Sequence, residues 1–267
     1  MPELPDLVYF RRYVDEHALD QRIRAVHVHD ADRFFKNTSE TTVRRHLEGR
    51  KLLSTERHGK YLLCEIEDDG WLVLHFGMTG QPVYDCDEER PEYTKLDLEF
   101  TNDCHLAYTN VRKLGEIGLV DGLDELIEQH DLGPDALSDE FDRGTFHELL
   151  ADRRGMLKTR LMDQSLLAGI GNIYSDEILF QAKLHPRVTV DALDDETIDS
   201  LYDTIREVLT VCGEHFPDLD QLEDSYLVAH RLDGENGTCP RCDTPIERLD
   251  VSGRTAQYCP NCQPPPG

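Results

Sequence analysis

The sequence reads as an α+β multi-domain chain, and three observations predict that class. Between roughly residues 22 and 120 apolar and polar residues alternate as in strands. From Ser138 onward the apolar spacing becomes helical, and near the end two CxxC pairs stand close together. Strands repeat every two residues and helices every 3.6, so a switch of period implies separately packed layers. At 267 residues there is room for two domains and a small appended module. The expected divisions are 1–130, 131–233 and 234–267.

The elements follow in order. Leu4, Leu7, Val8, Val14 and Ala18 fall near one face of a first helix that begins at the Pro5–Asp6 step. KYLLCEIEDDGWLVLHFGMTG reads as a hairpin turning at Asp68-Asp69-Gly70. TKLDLEFTNDCHLAYT reads as a second hairpin, with Leu96, Leu98 and Phe100 alternating and the turn at Asn102-Asp103. Gly133-Pro134 marks a boundary, after which Ser138 is expected to cap a helix through FDRGTFHELLADR. MLKTRLMDQSLLAG is expected as a second helix, broken by Gly169 and Gly171. NIYSDEILFQAKLHP gives a third, starting at Asn172, and DDETIDSLYDTIREVLTVCGEHF a fourth.

Charge bounds the setting rather than the fold. Asp and Glu total 54 against 28 Lys and Arg, a net charge of −26, and only seven of the basic residues are Lys. The acids are spread through every segment, as on a surface adapted to concentrated salt, so a halophilic source is expected. At molar salt the Debye length is about 3 Å, so the net charge excludes no anionic partner. Apolar runs fall short of a membrane span, and no charged-then-apolar leader opens the chain. A cytoplasmic location is expected.

The cysteines form two sets. Cys64, Cys86, Cys104 and Cys212 are scattered, with no pairing inferable, and read as small buried residues. Cys239-x2-Cys242-x16-Cys259-x2-Cys262 has the spacing of a four-thiolate zinc site on a short hairpin. Four thiolates complete the tetrahedron, so one structural zinc is expected, supplying folding energy to a module too short for its own core.

Two further stretches invite a chemical reading. MPELP places Pro2 and Glu3 at the terminus, where Pro otherwise suits a first helical turn. LLAGIGNIYSDEILF puts two glycines and Asn172 ahead of a helix, where free N–H groups suit a phosphate, although these residues alone favour an ordinary capped helical turn. Arg254 in GRTAQYC lies between the two knuckles and could grip a phosphate, or equally be a solvated turn residue.

In the order MPELP, HGKYLL, HFGMTG, NVRKLGE, LLAGIGNIYSDEILF and GRTAQYCPNC, the chain resembles the formamidopyrimidine-DNA glycosylase/endonuclease VIII family from Pro2 to Gln263. The resemblance implies an N-terminal β-sandwich with a leading helix, a helix-two-turn-helix domain and a zinc-finger hairpin. It implies a monomeric enzyme acting on damaged double-stranded DNA in the nucleoid, not on a membrane. Removal of Met1 would leave Pro2 with a secondary amine of pKa near 8, and its attack on a sugar C1′ gives an iminium. Glu3 is then the adjacent acid, its pKa raised by burial. Lys60 and Arg254 are implied in β- and δ-elimination, with Asp6 a possible support in place of the commoner Glu. Met78, Arg112 and Leu114 match the residues that fill the gap left by a flipped base, Leu114 replacing the usual Phe. Lys95, Lys158 and Asn172 match positions near the DNA.

Two alternatives differ in class. A zinc deaminase fails because four cysteines close the metal site and no H-x-E element stands upstream at a usable spacing. A non-catalytic zinc-containing DNA-binding protein on the same fold has no use for the Pro2–Glu3 terminus. HGKYLL and LGPDALSDEF lean to the oxidised-purine branch, whereas VAHRLDGENGTC looks closer to the oxidised-pyrimidine branch. His215–Asp233 matches no lesion-capping loop clearly.

Overall fold

Leu7, Phe10, Val14 and Ala18 recur at helical spacing and are buried along α1, Leu4–His17. The computed structural model describes all residues except 30, 32, 88, 89, 223, 224, 231–236 and 267. Part of VAHRLDGENGTC and of His215–Asp233 therefore lies outside the described residues. Contacts divide the chain into two compact units, Met1–Pro2 with Asp6–His130, and Glu3–Pro5 with Asp131–Gly267.

In the first unit, eight strands form two antiparallel four-stranded sheets. β1 (Ile23–Val28), β6 (Thr94–Phe100), β7 (His105–Asn110) and β5 (Gly80–Asp85) make one, in that order. β2 (Leu52–His58), β3 (Tyr61–Ile66), β4 (Trp71–His75) and β8 (Glu116–Val120) make the other. Both expected hairpins are present, Leu63 pairing with Val73 and Leu98 with Leu106. Leu72 and Leu74 from one sheet and Leu96, Leu98 and Leu106 from the other line one small void, so the sheets face each other as a sandwich. Two short helices, α2 (Glu40–Leu47) and α3 (Leu123–His130), also belong to this unit. Cys86 and Cys104 form a disulfide from the end of β5 to the residue before β7. The pairing is one that the spacing does not reveal, and Cys86 is exposed, which corrects its reading as a buried residue. The β5–β7 register brings together residues 18 apart in sequence.

The second unit is helical. α4 (Arg143–Leu150) is capped by Asp142, whose carboxylate accepts the Thr145 N–H, and not by Ser138. The Ser138 hydroxyl instead donates to the Asp135 carbonyl, a local bond that competes with helix. α5 spans only Leu157–Leu161, because Asp163 takes the Ser165 N–H and turns the chain. Gln164 then holds that loop, donating to the Met162 and Ile170 carbonyls and accepting from Gly169 N–H. α6 (Asn172–Gln181) is buried continuously from Tyr174 to Phe180, and α7 (Asp195–His215) is capped by Asp194. β9 (Glu247–Val251) and β10 (Arg254–Tyr258) close the chain as a hairpin. No helix among the described residues is long and apolar enough to cross a membrane.

Candidate active site

The N-terminus of α6 is built around Glu3. This side chain is 1% exposed, and its carboxylate accepts the N–H groups of Gly171 at 2.8 Å, Ile173 at 2.9 Å and Tyr174 at 3.1 Å. Leu4 N–H also donates to the Gly169 carbonyl. The two glycines of LLAGIGN are thereby explained. A Cβ on Gly171 would fall 2.3 Å from Cδ of Glu3, and one on Gly169 (φ +117) would fall 2.5 Å from a Leu4 methyl. The amides expected to await a phosphate are already bonded to Glu3, which corrects that reading. Three amide donors thus converge on one carboxylate at the N-terminal end of a helix. Pro2 is half-buried directly before Glu3, and Asp6 stands half-buried in the first turn of α1.

Lys158 lies beneath the same helix end. Its ammonium is fully buried and donates to Asp176 at 2.6 Å, Ser175 Oγ at 2.7 Å and the Asn172 carbonyl at 3.2 Å. A charge enclosed by three acceptors braces α6 from within. Asp176 also accepts the Gln257 N–H, and Asn172 Nδ2 donates to the Thr255 carbonyl, so α6 is bonded to β10 at two points. Ser252 (φ +54) and Gly253 (φ +79) make the tight turn that places Arg254, exposed, at the hairpin tip.

The four thiolates Cys239, Cys242, Cys259 and Cys262 lie within 4.8 Å of one another. Three of their separations are 3.5, 3.6 and 3.8 Å. Tetrahedral zinc at a Zn–S distance of about 2.3 Å requires edges of about 3.8 Å, so the residues fit a structural zinc ion. Phe180, Leu227 and Ile246 pack against Cys239 and Cys259.

In the first unit, Lys60 occupies the two-residue turn between β2 and β3 and is 7% exposed. Gly59 at φ +55 supplies the positive first position that this turn requires. Tyr61, His75 and Glu116 follow as directly paired residues across β3, β4 and β8. Glu116 Oε1 lies 3.0 Å from His130 Nε2, and His130 Nδ1 lies 3.1 Å from the Tyr61 hydroxyl. Burial, then Lys60 and His130, push the His75 pKa down to about 4, and its Nδ1 accepts the Gly77 N–H. Lys95 on β6 is 5% exposed. Met78 is 37% and Leu114 50% exposed, unusual for apolar side chains, and Arg112 is exposed beside them.

The reading from sequence did not single out Asp176, the Tyr61–His75–Glu116 row or Asn110. None carries a local signal, because each acquires its role from partners distant in sequence.

Comparison with known proteins covers nearly the whole chain. Residues 1–117 match the formamidopyrimidine-DNA glycosylase N-terminal domain, and 132–215 the formamidopyrimidine-DNA glycosylase H2TH domain. Residues 237–265 match the zinc finger found in FPG and IleRS. The formamidopyrimidine-DNA glycosylase of Herpetosiphon aurantiacus is 33% identical over 274 residues, covering 98% of this chain and 100% of the relative. The Lactococcus lactis formamidopyrimidine-DNA glycosylase, non-covalently bound to DNA containing an AP site, superposes with a TM-score of 0.87 at 30% identity, covering 98% of this chain and 100% of that one. The same enzyme with DNA containing N7-benzyl-Fapy-dG gives 0.86 at 30% identity, covering 99% and 100%.

Proposed function

The chain belongs to the formamidopyrimidine-DNA glycosylase family of bifunctional glycosylase/AP lyases, and on that premise we propose how its own residues act. It excises oxidised bases from duplex DNA, oxidised purines such as formamidopyrimidine or 8-oxoguanine ahead of pyrimidines. It works as a monomer in the cytoplasm, at the nucleoid. The purine preference is supported by the Fapy-dG and 8-oxo-G DNA held by structurally similar proteins. The matched segments also support a division into a catalytic sandwich at 1–130, a helix-two-turn-helix domain at 131–233 and the zinc hairpin at 234–267.

The observation that carries the reading is the buried Glu3 carboxylate, fixed by three amides at the N-terminal end of α6, one of them from its cap residue Gly171, and joined directly to Pro2. Once Met1 is removed, the Pro2 nitrogen attacks C1′. The C1′–N(Pro2) bond forms as the bond to the damaged base breaks, and that electron pair leaves with the base. Glu3 relays the proton of the Pro2 nitrogen to O4′ as the C1′–O4′ bond breaks, leaving a cationic iminium. Loss of a C2′ proton then expels the 3′ phosphate by β-elimination, and a second proton loss expels the 5′ phosphate by δ-elimination. Glu3, accepting amide hydrogen bonds at rest, exchanges protons with the sugar. Lys60 assists the first elimination and Arg254 the second, with Asp6 in support. Met78, Arg112 and Leu114 fill the vacated stack, and Asn172 and Arg254 hold phosphate.

Borohydride trapping on a duplex with an abasic site, over a range of KCl concentrations, tests this. Wild type should give a covalent adduct, lost in Pro2→Gly and in a form that keeps Met1. Absence of an adduct at every salt concentration, with duplex binding intact, would replace this reading with a non-catalytic DNA-binding protein.

A further inference from the structure

Asn110, the last residue of β7, is completely buried, and its amide faces chain segments that sequence alone leaves unconnected. Its Nδ2 donates to the Phe76 carbonyl at 2.9 Å and lies 3.4 Å from the Leu114 carbonyl and 3.1 Å from the Tyr108 hydroxyl. The Thr79 hydroxyl approaches its Oδ1 at 3.5 Å, and its backbone N–H donates to the Tyr93 carbonyl at 3.0 Å. Phe76 and Thr79 flank Met78, and Leu114 closes the segment that carries Arg112. Its side-chain amide therefore bonds to both apolar-tipped loops, while its backbone N–H bonds to the loop of the exposed Tyr93.

The surrounding glycines show how closely these loops meet. A Cβ on Gly77 would fall 0.9 Å from the Leu114 carbonyl oxygen, and one on Gly80 would fall 2.9 Å from Nδ2 of Asn110. A Cβ on Gly115 would fall 1.9 Å from the Tyr108 hydroxyl. Thr79 Oγ1 also accepts the Arg112 N–H at 3.0 Å, a second bond between the same two loops. Two residues here, Tyr93 (φ +63) and Lys113 (φ +53), adopt the left-handed conformation, and for a ring as bulky as Tyr93 that is a rare, costly state. Such a state persists only where the surroundings hold it, and Asn110 N–H holds the Tyr93 carbonyl.

We propose that Asn110 is a positioning residue for base displacement, welding the Met78 and Leu114 loops into one pre-formed wedge. This rests on the proposed glycosylase reading. Extruding a base costs a few kcal/mol of unstacking, and only a rigid wedge delivers its contact energy against that cost. A loose wedge spends part of that energy on its own ordering. The effect belongs to excision of a stacked, paired base and not to chemistry at an abasic sugar, where no base remains to be displaced.

The test compares Asn110→Ala and, as a second break of the weld, Thr79→Val. Each is assayed for excision of 8-oxoguanine from duplex DNA, for borohydride trapping at an abasic site, and for fluorescence of 2-aminopurine placed opposite the lesion. Excision should fall by about tenfold or more, equivalent to about 1.4 kcal/mol. Trapping should stay within about twofold, against the tenfold per 1.4 kcal/mol scale, and the fluorescence change on binding should shrink. Equal losses of excision and trapping, or no loss of either in both variants, would overturn the proposal. If Asn110→Ala does not fold, Thr79→Val carries the same two outcomes. Wild type that fails to trap would overturn the glycosylase reading itself.

Discussion

Lys158 and Asn110 are both fully buried polar side chains, and each anchors one unit of the molecule by different means. Lys158 works by charge: its ammonium is held by Asp176, Ser175 and a carbonyl under the helix end that also receives Glu3. Asn110 works without charge, one amide against two carbonyls where β4 and β7 end and β8 begins. Around Glu3 and the zinc cysteines the contacts are thus to charged groups and a metal, while immediately around the wedge they are neutral hydrogen bonds and close backbone approach. The difference teaches where sensitivity to solution conditions should reside. Chelators and charge removal should act on the helical unit far more than on the wedge.

The largest expected effect is loss of the metal. Structural zinc contributes roughly 10–16 kcal/mol of binding free energy in zinc-finger peptides. Stripping it with a strong chelator should unfold β9–β10, removing the Thr255 and Gln257 contacts to α6 and displacing Arg254. Hydrogen exchange should then show the amides of Arg254–Tyr258 unprotected while those of Tyr61–Ile66 stay protected. Protection of the hairpin without metal would break the comparison.

Next is Lys158→Met, which leaves the Asp176 carboxylate buried without its cation. Removing one partner of a buried pair costs about 3–5 kcal/mol. Thermal unfolding should show that loss, with part of it recovered in Lys158→Met/Asp176→Leu. Because the ammonium is enclosed, DNA binding by the folded variant should keep the wild-type salt dependence. A slope lower by about one would mark Lys158 as a phosphate contact and overturn its structural assignment.

The smallest effect is a pair of opposite pH dependences. His75, in the first unit, has a folded pKa near 4, below its ordinary 6.5, so it contributes stability above pH 6.5 that is lost as pH falls through 4. Glu177, in the second, is raised by burial to about 7 from 4.5, although Gln181 and the Leu227 and Val228 amides oppose the rise. Its contribution is present below pH 4.5 and is lost as pH rises through 7. Hydrogen exchange between pH 4 and 7.5 should show the sheet amides weakening toward acid and the α6 amides weakening toward neutral. His75→Gln and Glu177→Gln should each flatten one trend, and a common sign in both units would sink the assignment.

Sequence by itself determined much of this protein. Hairpin turns at Asp68–Gly70 and Asn102–Asp103, the helix from Asn172 and the four-cysteine spacing are local signals, fixed by φ/ψ preference, side-chain alternation and ligand geometry over a few residues. The family motifs likewise place Pro2 beside Glu3 without any folding. Tertiary structure alone decided which polar groups are spent internally. Glu3 reaches amides about 170 residues away, and so occupies the helix end that looked free for phosphate. Lys158 and Lys95 look identical to surface lysines in sequence, and only packing buries them. Ser138 lost the helix cap to Asp142 because its hydroxyl found the Asp135 carbonyl first. Cys86 and Cys104 pair because a strand register brings them together. Asn110 makes the same point most simply. An amide declares its hydrogen-bonding capacity in the sequence, but only the closed fold supplies the carbonyls it must satisfy once it is shut away from water.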